Sequence, residues 1–166
     1  MKMNTTHKQS NALRIAVASA FAGAMTIGAT GVLAGACPAD KIVADGQGQK
    51  PGPTAPKDVT DMVRASTDLA KEPAMINGRQ FRLRQLEMKP GGIVPWHSHG
   101  DRPAIIYVVS GEVTEYASNC AVPIVHKAGD VAPETHVTAH WWKNTGKKTA
   151  TLISADLLKD DHDHMM

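Results

Sequence analysis

Aromatic residues are scarce, at 4% of 166 residues, which argues against a core built on large rings. Cysteine is scarcer still. Only Cys37 and Cys120 are present, so covalent cross-linking is limited to one bridge. Acidic residues are missing from positions 1–36, which hold the basic residues Lys2, Lys8 and Arg14. Positions 37–166 carry 15 Lys and Arg against 16 Asp and Glu. A body so nearly balanced gives no electrostatic case for nucleic acid. No internal repeat is visible. What is present suits one ordinary domain: 42% hydrophobic and 20% charged residues sustain a packed core and argue against wholesale disorder.

The first 36 residues read as a signal peptide. Met1 to Arg14 is polar and basic, and Ile15 to Ala36 carries no charge. The run ends in Ala34-Gly35-Ala36, with small residues at the two positions a signal peptidase reads. Its length would nominally cross a membrane. Its glycines and scarcity of large side chains make it a poor stable anchor. Cleavage after Ala36 would leave Cys37 first, which raises lipid anchoring as an alternative. Leu33 stands one place too early for that motif, with Ala34 where the Leu belongs. The expectation is an exported chain, periplasmic or secreted. Export permits a Cys37–Cys120 disulfide, but two free thiols would look the same in the sequence.

Residues 37–57 contain Pro38, Pro51, Pro53 and Pro56 with Gly46, Gly48 and Gly52, the composition of a flexible arm. Residues 58–75 show a weak helical spacing in Val59, Met62, Val63 and Leu69. Asp58 could cap a short helix there, and Pro73 would stop it; an irregular lead-in is the alternative. From residue 76 the texture turns to strands. Gln80 to Arg84 alternates polar and apolar, the period-2 signature, and Pro90-Gly91-Gly92 breaks the run. Ala104–Tyr116, with a turn at Ser110-Gly111, is rich in Ile, Val and Tyr. Ala121–His126, Val137–Trp142 and Thr149–Leu157 follow, separated by turn residues. The fold class expected over 76–158 is all-β, a sandwich or barrel. Residues 159–166 read as a disordered tail.

Five histidines lie between positions 97 and 140. His97 and His99 are two apart, so on a strand both imidazoles point to one face and can meet one ion. His140 lies on a later predicted strand. An isolated His-x-His on a surface strand usually means nothing. Three neutral imidazoles converging inside a barrel would suit iron, manganese, zinc, copper or nickel.

Around these histidines the chain resembles the cupin superfamily. Gly91, His97, His99 and Gly111 fit the spacing of its first motif, with Ala104 where the motif has Glu. Gly129, His140 and Asn144 fit the second motif, whose Pro and inner Gly are replaced by Thr135 and Val137. The resemblance implies a single jelly-roll β-barrel over 76–158. It implies His97, His99 and His140 as metal ligands, with iron or manganese favoured. Ala104 cannot ligate, so one first-motif charge is lost and a coordination position is freed. The resemblance also implies pairing as a homodimer through the sheets.

Other residues carry weaker signals. Asp101 could stand in for the Glu but reads better as a turn residue. His136 is the one candidate base or extra ligand. Four residues of strand, roughly 13 Å, separate it from His140 unless a turn folds it back; a solvent-facing loop histidine is the ordinary alternative. His126 has no motif support. His162 and His164 sit in the polar tail. Trp142 should point inward with His140, lining a pocket beside Ala104 or filling the core, with Trp141 on the other face. Arg82 and Arg84 share one face of an early strand, ordinarily a solvated or interface face, though they could clamp an anion. Two functions stay open. One is an exported metalloenzyme, an oxygenase or another metal-dependent enzyme, acting on a small chelating molecule. The other is a barrel that holds a metal or small ligand without turnover.

Overall fold

The computed structural model describes residues 35–159. The segment read as a signal peptide and the tail therefore lie outside the described residues, except for Gly35, Ala36 and Lys159. Eight antiparallel strands make one sheet curled into a nearly closed barrel. They are β1 (Lys57–Asp68), β2 (Gln80–Ser98), β3 (Ala104–Ser110), β4 (Glu112–Ala117), β5 (Ile124–Lys127), β6 (Val131–Glu134), β7 (Ala139–Lys143) and β8 (Ala150–Leu158). The strand order is β5-β4-β7-β2-β8-β3-β6, with β1 added against β2.

β2 explains how the sheet closes. It runs on for 19 residues, through the Pro90-Gly91-Gly92 segment where the sequence suggests a break. Gln80–Met88 pairs with β8, and Ile93–Ser98 pairs with β7. Gly91 sits at φ +78° between the two halves, a conformation open to glycine and costly for most side chains. The strand therefore bends there and carries the chain from one wall to the other. A register shift between Val94 and His97 follows and helps aim the two histidines inward.

The core lies at one end of the barrel. Leu86, Met88, Val94, Val108, Val113 and Leu152 form its centre, with Trp142 packed among them. β8 shows the alternation plainly, burying Ala150, Leu152, Ser154, Asp156 and Leu158 in turn. Toward its other end the inner face becomes polar. Arg82 and Arg84 are each 6% exposed, whereas Phe81 is 49% and Leu83 38% exposed. The sequence alone suggests a solvated or interface face for these arginines, with an anion clamp as the alternative. The structure reverses that, because Asp156 waits inside the barrel on the neighbouring strand.

Three further expectations are corrected. The short helix at 58–75 is instead β1, followed by a single 3-10 turn at Leu69–Lys71. Asp68, not Asp58, caps that turn, accepting from the Ala70 amide at 3.1 Å. The open edge of β2 supplies ten residue pairings for β1, and tertiary pairing of this kind overrides a weak helical spacing. β6 was not anticipated. It ends the strand path and pairs only with β3, so its Pro133 costs no ladder hydrogen bond on a free side.

The arm at 37–57 is docked rather than loose. Cys37 and Cys120 form a disulfide, and Ile42 makes a β-bridge with Cys120. The Gly48 amide donates to Ser118 O at 2.7 Å, and the Trp96 amide donates to Pro53 O at 2.8 Å. A Cβ on Gly52 would lie 2.4 Å from Trp141 Nε1, whose ring stacks on Tyr116. Gly52→Ala should therefore lift the arm and cost about 1–3 kcal/mol in thermal or denaturant unfolding. An unchanged midpoint would show that the arm contributes nothing to the barrel.

Candidate metal centre

The bend in β2 and its pairing with β7 bring His97 directly opposite His140. His99 follows at the strand end. The three Nε2 atoms stand 3.1 Å apart from His97 to His99, 3.1 Å from His99 to His140 and 3.2 Å from His140 to His97. His99 and His140 are each 1% exposed, and His97 is half-buried. Each Nδ1 faces an oxygen. His97 Nδ1 donates to Pro95 O at 2.9 Å, His99 Nδ1 to Arg102 O at 2.8 Å, and His140 Nδ1 to Glu115 Oε1 at 2.8 Å. With every Nδ1 used as a donor, all three Nε2 lone pairs converge on one point.

That arrangement fits a metal ion. Nitrogen donors about 2.0–2.1 Å from one ion stand about 3.0 Å apart at right angles and about 3.4 Å apart at the tetrahedral angle. The observed triangle falls between these values. Carboxylate or carbonyl support at the far nitrogen of each imidazole is also the usual arrangement around a ligating histidine.

Electrostatics prepares two of the ligands. Burial, with the His140 charge, pushes His97 down to about 2. The same causes push His99 down to about 3. Both are neutral at physiological pH. Burial also opposes charge on His140, but Glu134 and Glu115 outweigh it and raise its pKa. Glu115 would be raised by burial, yet hydrogen bonds from His126 and His140 bring it down to about 2. Burial drives Glu134 up to about 8 against the pull of His140.

These shifts fix a sign. The histidines titrate near 6.5 when exposed, and His97 and His99 lie well below that in the fold. Their contribution to stability is complete above about pH 6.5 and is lost as pH falls toward 3. The metal-free chain should melt at falling temperature between pH 7 and pH 4.5. The slope should be shallower in a His97→Asn/His99→Asn chain, measured by calorimetry. Equal slopes would mean that these imidazoles are not held neutral.

Sequence reasoning had named His97, His99 and His140, and the structure brings all three together. Trp142 is inward and 3% exposed. Its Nε1 lies 3.0 Å from His140 Nδ1, and its ring stacks on His126 with centroids 4.5 Å apart. It is both core and cavity wall. Ala104 is buried and is not among the residues that line the cavity at the triad. Its small side chain faces inward opposite Glu134 and Asp156 on the neighbouring strands. His136 is exposed in the loop between β6 and β7 and joins no cluster of ligating residues. It sits in a turn that the Thr138 amide closes by donating to Thr135 O at 3.0 Å, and the turn leaves its side chain in solvent.

Sequence reasoning missed Glu115 and Glu134 and gave His126 no role; all three are buried. Glu115 links two imidazoles, accepting from His126 Nε2 and from His140 Nδ1, each at 2.8 Å. No sequence signal marks it; the pairing Glu115↔Trp142 in the folded sheet sets it beside His140. It also missed the arginine–aspartate cluster. Asp156 accepts from Arg82 Nε at 3.0 Å and Nη2 at 2.8 Å and pairs with Arg84 Nη2 at 3.1 Å. Arg84 also bonds Asp61.

A cavity of about 30 Å³ opens at the triad, room for about two water molecules. Its walls are mostly apolar, with Leu86, Ile106 and Leu152 among them, and Arg84 and Ser154 supply polar groups. The Arg84 Nε–H is buried and has no partner.

The comparisons with known proteins agree with this fold. The family model Cupin_2, described as a cupin domain, matches residues 84–156. A germin-like protein, subfamily 2 member 2, of Arabidopsis thaliana is 29% identical over 83 residues, covering 48% of this chain and 38% of that protein. The chain thus spans well under half the length of that curated relative. A predicted oxalate decarboxylase from Thermotoga maritima superposes with TM-score 0.51 at 20% identity, over 74% of this chain and 98% of that one. A double-stranded β-helix protein from Klebsiella pneumoniae superposes with TM-score 0.50 at 20% identity, over 68% and 84%. At such identity the likeness to these structures is one of fold.

Proposed function

We propose that the chain, which carries a cupin domain over residues 84–156, is an exported barrel that holds one divalent metal ion through His97, His99 and His140. The observation that carries this reading is the convergence of three Nε2 atoms whose Nδ1 partners are all oxygens. Iron or manganese is favoured, and zinc, copper and nickel suit the same nitrogens. The Cys37–Cys120 disulfide supports export, since such bonds persist in oxidising compartments.

The ligand proposed is a small oxygen-bearing anion. A bound ion would act as a Lewis acid on it. The Arg84 Nε–H offers a charged donor that the protein leaves unused, and buried donors of that kind bind anions well. Leu86, Ile106 and Trp142 make the cavity wall beside the triad apolar. Glu115 fixes the His140 ring and its tautomer. The small cavity limits the ligand to a few heavy atoms beside the ion.

Two outcomes at the site remain distinct. In the first the ion supports an oxygenase or another metal-dependent reaction. In the second it is held without turnover, a reading favoured by Ala104, which leaves no first-motif carboxylate beside the histidines. Elemental analysis of the purified chain tests the shared premise. Divalent metal near one per chain supports it. A chain that stays metal-free after anaerobic reconstitution with iron and with manganese overturns it. Oxygen uptake or loss of a small carboxylic acid by the loaded chain then separates catalysis from holding.

A further inference from the structure

We propose that the Cys37–Cys120 bridge controls metal retention at the triad. Oxidised, it straps the arm over the turn that positions His99 and His140. Reduced, it releases the strap and the ion is held more weakly. The inference rests on the three-histidine reading and adds redox control of that same site.

The strap has no core of its own. No residue of 38–57 is buried, so apolar burial contributes little to holding it. Backbone hydrogen bonds and the bridge hold it instead. The Val43, Gly48 and Gln49 amides donate to the carbonyls of Asn119, Ser118 and Ala117 at 3.0, 2.7 and 2.9 Å. The Ala121 amide donates back to Lys41 O at 2.9 Å. Gly48 permits this approach, since a Cβ there would stand 2.6 Å from Cys120 N and 2.8 Å from Ala117 O. The bridge pins the arm to the middle of the same turn, at the fully buried Cys120.

The other side of that turn meets the ligands. Ala117 pairs with His140. The Ser118 amide donates to Ala139 O at 2.8 Å. The Ser118 hydroxyl accepts from the Ala139 amide at 3.0 Å and donates to Asp45 of the arm. Asn119 Nδ2 donates to Thr138 Oγ1 at 3.3 Å, and Thr138 O accepts from the His99 amide at 2.9 Å. The turn therefore lies between the arm and the backbone that sets two of the three imidazoles. The β4–β5 ladder closes at Glu115↔Ile124, so the turn beyond it depends on the arm.

Reduction removes the anchor. A dithiol attacks the sulfur of half-buried Cys37. The Cys37–Cys120 bond breaks, the dithiol closes to its own disulfide, and its two protons pass to the cysteine thiols. The arm then frays as an ordinary terminal segment. Ala117 and Ser118, each 2% exposed, lose the donors to their carbonyls. Buried carbonyls without donors are costly, so the turn relaxes toward water and draws Ser118 and Asn119 away from β7. The imidazoles lose their fixed spacing. The chain thus holds its ion tightly only once it is oxidised. Coupling of this kind is reciprocal, so the ion stabilises the bridge by the same factor.

The test uses the exported chain stripped of metal, with manganese as the probe because it binds thiols poorly. Affinity is read by electron paramagnetic resonance in three samples: the oxidised chain, the same chain held reduced by dithiothreitol, and oxidised Gly48→Ala, which lifts the arm with the bridge intact. A fall of about 10-fold is expected in the second and third, with the circular dichroism of the barrel retained. Oxidised Gly111→Ala is the control. Gly111 has φ +84° in the turn between β3 and β4, and a Cβ there would lie 2.8 Å from Ala150 Cβ, so this chain should melt lower yet keep its affinity. Saturating manganese should also make the bridge about 10-fold harder to reduce, a shift of about 30 mV. Equal affinity in the oxidised and reduced chains, unchanged affinity in Gly48→Ala, or a potential that manganese leaves unmoved would overturn the proposal while the three-histidine reading stands. So would an equal loss in Gly111→Ala, which would reduce the effect to general stability. An oxidised chain that binds neither manganese nor iron overturns both.

Discussion

A His97→Ala/His140→Ala chain should retain no metal after dialysis against a weak chelator, while the unmodified chain retains close to one ion. Two of three nitrogens leave, and a single buried imidazole cannot hold a divalent ion against water. The affinity lost should exceed 1,000-fold, since even support one bond further out is worth about 10–100-fold. Glu115→Gln measures that smaller share. It keeps the shape of the side chain and weakens the acceptor for His140 Nδ1 and His126 Nε2. A fall in affinity of about 10–100-fold with the fold intact is expected. The triad substitutions also remove buried imidazoles, so circular dichroism must accompany the metal measurement. A folded double variant that still binds one ion would end the three-histidine reading.

The triad could be read from the sequence because its information is local. Two histidines two positions apart on a strand share a face whatever the rest of the chain does. The second-motif spacing then supplied His140. Glu115 and Glu134 were invisible for the opposite reason. Neither has a motif, and their role comes from the β4–β7 and β3–β6 registers, which only the folded sheet defines. β6, which carries Glu134, is four residues long and contains a proline, so periodicity gives it little to show. β1 was misread as a helix because its face and edge are exposed almost throughout. No buried alternation marks it, and the β2 edge alone decides its conformation. The arginine face shows the limit of period-2 reasoning. Alternation in Gln80-Phe81-Arg82-Leu83-Arg84 establishes a strand but not which side faces inward. That choice belongs to Asp156, more than seventy residues away in sequence.

Asp156→Asn should destabilise the barrel by about 3–5 kcal/mol, because the change leaves buried guanidinium groups without their counter-charge. Asp156 is 1% exposed and serves Arg82 by two hydrogen bonds and Arg84 by an ion pair. Arg102 Nη1 stands 3.7 Å away. Asp61 is the second carboxylate, bonded to Arg84. For a domain of this size the loss should lower the melting temperature by on the order of 10–15 °C. A shift under about 3 °C would mean that water reaches the cluster and screens it.

The same cluster has a function that stability alone does not require, because Arg84 also lines the triad cavity. Buried ion pairs replaced by apolar residues of similar volume often lose no stability. With Asp61→Leu added so that no carboxylate is left without its partner, the chain Arg82→Leu/Arg84→Met/Asp156→Leu should therefore melt closer to the unmodified protein than Asp156→Asn does. It should keep its metal, since no ligand has changed. It should lose binding of a small carboxylate such as acetate, read as a shift in the spectrum of a bound cobalt or copper ion. A compensated chain that still binds the anion with unchanged affinity would show that the arginines serve the fold alone.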